Sequence, residues 1–206
     1  MKKITILTAS DAVYAPLKDI SRPNLEKWAK FQGYNFQHRN ITKEVKNKSF
    51  YKIRLILNEF IYNEPEYIMW FDIDSLVCNM NFNLTNIIDT YMRYPETNIL
   101  TAADNWGICC SHMIIEKTCW VRNFLDTLLT LDLAYESKRE EQDSIKILYN
   151  NYFSVAKHIQ YIQNFVTHSE YDTIKSGDIA HYPNIPLEER VKLMKETKII
   201  EYEKNI

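Results

Sequence analysis

The apolar positions of this chain switch between two periods. Residues 4–8, Ile-Thr-Ile-Leu-Thr, are a short β-branched run that predicts a first buried strand. Ser10, Asp11 and Ala12 follow as a loop. Over residues 22–31, Leu25, Trp28 and Ala29 recur on one helical face, and Gly33 is placed to stop that helix. Residues 34–38 alternate and predict a second strand. Beyond a polar loop at 43–49, Ile53, Ile56, Leu57 and Phe60 predict a helix over 51–62. Residues 67–71, Tyr-Ile-Met-Trp-Phe, are continuously apolar, as a strand covered on both faces must be. That run leads straight into Asp72-Ile73-Asp74-Ser75. Further helices are predicted over 84–94, 118–131, 140–149 and 187–196, the last with Pro186 near its start. Further strands are predicted over 98–103, 112–115 and 159–162.

Strands and helices alternate throughout, which predicts an α/β fold with a mainly parallel central sheet flanked by helices. The chain has 206 residues. That length, with no internal repeat, low-complexity tract or linker, predicts one domain spanning 1–206.

Composition narrows the function classes. The formal net charge of -2 has no dominant block behind it, so bulk attraction to nucleic acid is not indicated. With only 3 Gly, loops that need positive φ must use Asn or Asp. Cys78, Cys109, Cys110 and Cys119 match neither zinc spacing nor a disulfide framework, and predict reduced, buried thiols. The N-terminus lacks the apolar core of a secretion signal, and no stretch reaches the roughly 18 apolar residues of a membrane span. These features predict a cytoplasmic protein. The abundance of Asn, Lys, Ile and Tyr is compatible with an AT-rich genome and a viral or phage enzyme working in a host cytoplasm.

The chemistry centres on Asp72-Ile73-Asp74. A bare D-x-D is common on solvated loops. Here it follows a buried strand, and open α/β sheets bind ligands beyond the carboxyl ends of their strands. Two carboxylates at such an edge predict a site for Mn²⁺ or Mg²⁺, hard cations that take oxygen ligands from protein and phosphate together. Thr8, Ser10 and Asp11, at the end of the first strand, are candidates for the nucleotide base and ribose, with helix capping as an equal alternative.

With that triplet placed, a wider pattern emerges. The order Asn24-Leu25-Glu26-Lys27-Trp28-Ala29, Gly33-Tyr34-Asn35-Phe36, Lys52, Tyr67 through Asp74, Asp104 through Trp120, Glu141-Gln142-Asp143 and Gly177-Asp178-Ile179-Ala180-His181 resembles the galactosyl/xylosyltransferase family. Its members include fungal galactomannan galactosyltransferases and plant xyloglucan xylosyltransferases. The chain is similar, more distantly, to lipopolysaccharide galactosyltransferases. The resemblance implies the GT-A nucleotide-diphospho-sugar transferase fold and retaining transfer of a hexose or pentose from a nucleotide sugar, a UDP-sugar above all, to an acceptor. That acceptor is open between glycan, lipid-linked sugar, protein and modified nucleobase.

The resemblance also implies roles. Asp74 and His181 would hold the metal, with Asp72 sharing it or holding the ribose. Lys52 would offset phosphate charge, its alternative being a solvated helix face. Asp104 and Asp143 would accept hydrogen bonds from donor-sugar hydroxyls, and Gln142 would sit under the anomeric carbon. Two departures stand out: Cys109-Cys110-Ser111 replaces an Asn-x-Gly, and Asn184 stands where a glycine is expected after His181. Trp70, Trp106 and Trp120 read as core, Trp106 with an alternative role stacking on an acceptor sugar. Residues 138–141, Lys-Arg-Glu-Glu, read as a solvated face.

Two other readings compete. Residues 71–76 also resemble the DxDx(T/V) motif of haloacid-dehalogenase-type phosphatases, but the triplet lies late in the chain and Leu76 replaces the Thr/Val. A non-catalytic nucleotide-sugar-binding module is the other, motivated by Cys109-Cys110-Ser111.

Overall fold

Nine strands and seven helices are interleaved along the described residues of a computed structural model, which are 2–42, 48–94, 96–104, 107–130, 140–162, 166–168 and 178–201. The strands are β1 (Ile4–Ser10), β2 (Asn35–Asn40), β3 (Tyr67–Asp72), β4 (Ser75–Val77), β5 (Ile99–Asp104), β6 (Gly107–Glu116), β7 (Ile159–Ile162), β8 (Val166–His168) and β9 (Ile179–His181). The helices are α1 (Ala15–Gln32), α2 (Lys48–Tyr62), α3 (Leu84–Tyr91), α4 (Cys119–Thr130), α5 (Glu140–Asn151), α6 (Phe153–Ala156) and α7 (Leu187–Glu196).

The main sheet has the order β2-β1-β3-β6-β5-β7. Only β6 runs against the other five strands, so the sheet is mainly parallel, as the alternation predicted. A second sheet, β4-β9-β8, sits past the end of β3. Successive side chains of a strand point to opposite faces, and β3 uses both. Met69 and Phe71 pack with Trp28, Leu25 and Leu84 of α1 and α3, while Ile68 and Trp70 pack with Ile53, Ile56 and Leu125 of α2 and α4. The β3 run is continuously apolar because both its faces are covered.

Helix α1 begins seven residues before the predicted start, and Pro23 lies inside it. Proline in a helix interior removes one backbone hydrogen bond and crowds the preceding turn. Burial outweighs that cost here: Leu17 packs beneath the extra turns, and the Ser21 hydroxyl donates to the carbonyl of Ser75 at 2.7 Å. Gly33 ends the helix as expected, with φ 75°. Helix α3 stops at Tyr91, three residues short of its predicted end.

The β4, β8 and β9 strands are too short for any period to register, and they were not foreseen. Of the thiols, Cys78, Cys109 and Cys110 are buried, but Cys119 is exposed at the start of α4, contrary to expectation. Trp70 is core; Trp120 is only half-buried, stacked on Phe124 and His158 with ring centroids 4.9 and 4.0 Å away. Trp106 lies outside the described residues. No described helix is long and apolar enough to cross a membrane.

Candidate active site

The site lies at the carboxyl ends of β1 and β3, where the chain leaves the main sheet. Asp72 closes β3, and a two-residue turn leads through Asp74 into β4. Pairing between β4 and β9 sets His181 opposite Ser75, beside Asp74. The amide of Tyr182 donates to the Asp74 carbonyl at 3.1 Å and ties the two segments together. One oxygen or nitrogen from each of Asp72, Asp74 and His181 then falls within 4.8 Å of the others. The Nε2 of His181 is 3.3 Å from one Asp74 oxygen. Two carboxylates and an imidazole at this spacing are a suitable ligand set for a Mn²⁺-like ion.

Charge is arranged around this trio in layers. The Asp72 carboxylate accepts from the Trp70 indole at 2.7 Å and from the Lys52 ammonium at 3.3 Å. Trp70 and Asp72 lie two apart on β3, so both reach the α2 face where Lys52 stands. Lys52 also pairs with Glu141 at 2.8 Å and donates to the Cys110 carbonyl at 3.1 Å. Its ammonium, which has three hydrogens, thus faces three acceptors. Burial opposes its charge, but Asp72 and Glu141 overcome this and push its pKa above the ordinary lysine range. Burial would raise the pKa of Glu141, yet Lys52 holds it below the usual value.

The two aspartates of this cluster are pushed apart. Burial raises the Asp72 carboxyl, and Asp74 adds to this against the pull of Lys52. Burial would raise Asp74 too, but His181 and then Arg190 hold it low. Arg190, from the first turns of α7, donates to the second Asp74 oxygen at 2.9 Å and to the Ile185 carbonyl at 2.9 Å.

A cleft of about 410 Å³ opens onto this arrangement, and its walls include Ser10, Asp11, Lys48, Lys52, Asp72, Asp74, Glu141 and Arg190. Asp11 accepts from the amides of Val13 and Tyr14 at 2.9 and 3.2 Å and forms an ion pair with Lys48. Asp11 therefore closes the turn that leads into α1 while also facing the cleft, and no side chain caps that helix. Ser10 is hydrogen-bonded to His38 at 2.9 Å. Thr8 is fully buried one step back on β1 and does not line the cleft.

Of the residues expected to handle the sugar, Gln142 is buried and accepts from the Cys110 amide at 3.0 Å. Asp143 follows it on α5, partly exposed. Neither is part of the cleft lining. Asp104 ends β5, and its side chain lies outside the described residues, as does Gly177. The Cys109-Cys110-Ser111 departure falls where β6 holds three extra residues against β5, between its pairings at Met113 and Cys109. That bulge carries the Cys110 carbonyl to Lys52. Asn184 adopts φ 57°, the left-handed conformation for which a glycine would be used and which Asn tolerates.

Sequence reasoning missed two charged residues of this site. Glu141 read as part of a solvated charge run, but it is buried against Lys52. Lys138 and Arg139 of that run lie outside the described residues. Its place directly before Gln142 was the available signal. Arg190 had none, since nothing in a surface helix pattern links position 190 to position 74.

The Lys52–Glu141 pair supports a pH test. Glu141 has a lowered pKa in the folded protein, so its contribution is full above its unfolded value of about 4.5 and is lost as pH falls through the folded value. Glu141→Gln is expected to cost roughly 1–3 kcal/mol at neutral pH, since Lys52 keeps its other partners. It is also expected to flatten the acid limb of stability as pH falls below about 4.5, read by urea denaturation at each pH. An acid limb identical to the wild type's would exclude this pair as its source.

Comparison with known proteins agrees with this geometry. Residues 2–93 match the galactosyl transferase GMA12/MNN10 family, a span that includes Lys52, Asp72 and Asp74 but ends before His181. No curated protein matches the sequence. Among solved structures, the chain is similar to a glycosyltransferase involved in glycosylation of the major capsid of PBCV-1, with TM-score 0.77 and 18% identity over 94% of this chain and 99% of that one. It is similar to the galactosyltransferase LgtC in complex with donor and acceptor sugar analogs, with TM-score 0.52 and 12% identity over 96% of this chain and 97% of the other. It is also similar to a Drosophila β1,4-galactosyltransferase 7 mutant in complex with manganese, UDP-Gal and xylobiose, with TM-score 0.54 and 14% identity over 100% of this chain and 78% of the other. These likenesses show the fold. The match and the fold together identify the chain as a glycosyltransferase of the GT-A type, similar over residues 2–93 to the galactosyl transferase GMA12/MNN10 family.

Proposed function

We propose that this protein, acting as one catalytic domain, transfers a hexose or pentose from a UDP-sugar to an acceptor hydroxyl with retention of anomeric configuration. The observation that carries the reading is the convergence of Asp72, Asp74 and His181, with both aspartates lining the cleft and His181 buried beside Asp74. Their oxygen and imidazole donors suit Mn²⁺ or Mg²⁺, and a divalent ion held there would offset negative charge on the departing diphosphate. Ser10 and Asp11 are placed for the nucleoside and Asp72 for its ribose. Lys52 favours the ionised form of Asp72 against burial and orients it, and adds positive potential behind the phosphates. Gln142 and Asp143 on α5 and Asp104 at the end of β5 are proposed to serve the donor sugar.

In this reaction the bond between the anomeric carbon and the diphosphate oxygen breaks. The acceptor oxygen bonds to that carbon on the same face, and its proton passes to the released phosphate oxygen. No covalent sugar–enzyme intermediate is required. The likeness to a glycosyltransferase involved in glycosylation of the major capsid of PBCV-1 supports a glycan or protein acceptor ahead of a lipid-linked sugar or a modified nucleobase. We place the reaction in the cytoplasm, where nucleotide sugars and reduced thiols coexist.

A melting screen over nucleotides, with and without Mn²⁺, tests the reading. UDP at a hundred times its Kd is expected to stabilise by about 2.7 kcal/mol, or roughly 5–10 °C for a domain of this size, and only when the metal is present. The UDP-sugar that is also slowly hydrolysed identifies the donor. Equal stabilisation by UDP in a chelator would defeat the metal-dependent reading. Binding without any sugar release from any donor would favour a non-catalytic module.

A further inference from the structure

Arg190 holds one oxygen of Asp74 while His181 faces the other. Any cation that takes Asp74 as a ligand must therefore share it with a guanidinium. Arg190 is mostly buried, with 13% of its side chain exposed, and it lines the cleft together with both aspartates. Two of its nitrogens are engaged, by Asp74 and the Ile185 carbonyl, and its buried Nε has no hydrogen-bond partner. A guanidinium carries five N–H donors in a fixed fork that matches phosphate oxygens. Arg190 therefore has unused donor capacity at the cleft wall. Its backbone is held in place because α7 packs through Leu187, Val191 and Met194 against Leu17 and Ile73, so only the side chain has to move.

We propose that Arg190 is an exchangeable counter-cation: it neutralises Asp74 until a divalent ion binds, and then turns its guanidinium to the diphosphate that arrives with the ion. This rests on the nucleotide-sugar reading given above. The physical reason is charge. A dication bound to Asp74 repels the arginine 2.9 Å away and weakens the Arg190–Asp74 pair, while the diphosphate provides a new anion along the same wall. Linkage makes the competition reciprocal: if the ion weakens the pair, the pair weakens ion binding by the same factor. Arg190 should thus oppose binding of the metal alone and favour binding of metal with nucleotide. A residue that merely clamps α7 in place would not act with opposite signs on the two.

The test compares wild type, Arg190→Gln and Arg190→Lys in two titrations: Mn²⁺ alone, followed by its electron paramagnetic resonance signal, and UDP at saturating Mn²⁺, followed by calorimetry. Arg190→Gln is expected to bind Mn²⁺ alone at least about fivefold more tightly and UDP with Mn²⁺ at least about fivefold more weakly. Arg190→Lys, which keeps the charge but loses the fork, should fall between the two and controls for folding. Unchanged or weaker Mn²⁺ binding by Arg190→Gln would overturn the competition. Tighter Mn²⁺ binding with unchanged UDP affinity would overturn the transfer to diphosphate. A wild type that binds Mn²⁺ but no UDP would defeat the nucleotide reading and, with it, that transfer. The Mn²⁺ titration would still decide the competition by itself.

Discussion

Asp74→Asn is expected to abolish the Mn²⁺-dependent stabilisation by UDP and to lower sugar transfer by at least about a hundredfold, the scale of losing one charge-stabilising element at a reacting centre. The substitution is nearly isosteric, so it isolates charge from shape. Asp74 is buried, kept ionised by His181 and Arg190, and sits where β3 leaves the sheet. An amide in its place still offers one oxygen to Arg190 but cannot supply an anionic ligand. Asp74→Ala should match it in activity. It should also lose roughly 1–3 kcal/mol of stability, because Arg190 is left without its charged partner. Urea denaturation separates the two variants, and calorimetry with UDP and Mn²⁺ tests the shared defect. Wild-type transfer by Asp74→Asn would remove Asp74 from the metal site.

The second large effect is structural. Trp28→Ala is expected to cost about 3–5 kcal/mol, the usual range for truncating a buried tryptophan. Trp28 is fully buried and meets Tyr34 and Phe71 edge-on, with centroids 5.7 and 5.8 Å away, and stacks on Phe82 at 5.8 Å. Its indole donates to the Phe82 carbonyl at 2.9 Å, so alanine leaves both a cavity and an unpaired acceptor. That loss is a large share of a domain stability of about 5–15 kcal/mol. Phe71 immediately precedes Asp72, so a slackened Phe71 should also weaken UDP–Mn²⁺ binding. Equilibrium urea unfolding gives the first quantity and calorimetry the second. A loss below about 1 kcal/mol would mean that the neighbouring aromatics collapse into the space.

The two tests differ in how much of their basis is readable in one dimension. The Asp72-Ile73-Asp74 triplet and the apolar strand before it are adjacent in the chain, so periodicity and a short motif suffice to place a metal site at a sheet edge. His181 came from resemblance, and the structure brings its ring to Asp74 through the β4–β9 ladder. Helix α1 shows the opposite case. Its start was predicted at residue 22 from the face of Leu25, Trp28 and Ala29, while the burial of Leu17 and the hydrogen bond from Ser21 to Ser75 depend on partners far along the chain.

Glu141 and Arg190 mark the boundary most sharply. A glutamate in a charge run and an arginine on a terminal amphipathic helix are ordinary surface residues by pattern, because exposure is the default for charge. Each becomes part of the site only when folding sets a buried opposite charge beside it: Lys52 for Glu141, Asp74 for Arg190. The amino-acid order alone determined the alternating α/β layers, the central strand and the carboxylate pair at its end, since these depend on neighbours a few residues apart. The tertiary structure decided which charges surround that pair, because electrostatic partnership depends on distance in space, and residues 74, 181 and 190 meet only after the two sheets have formed.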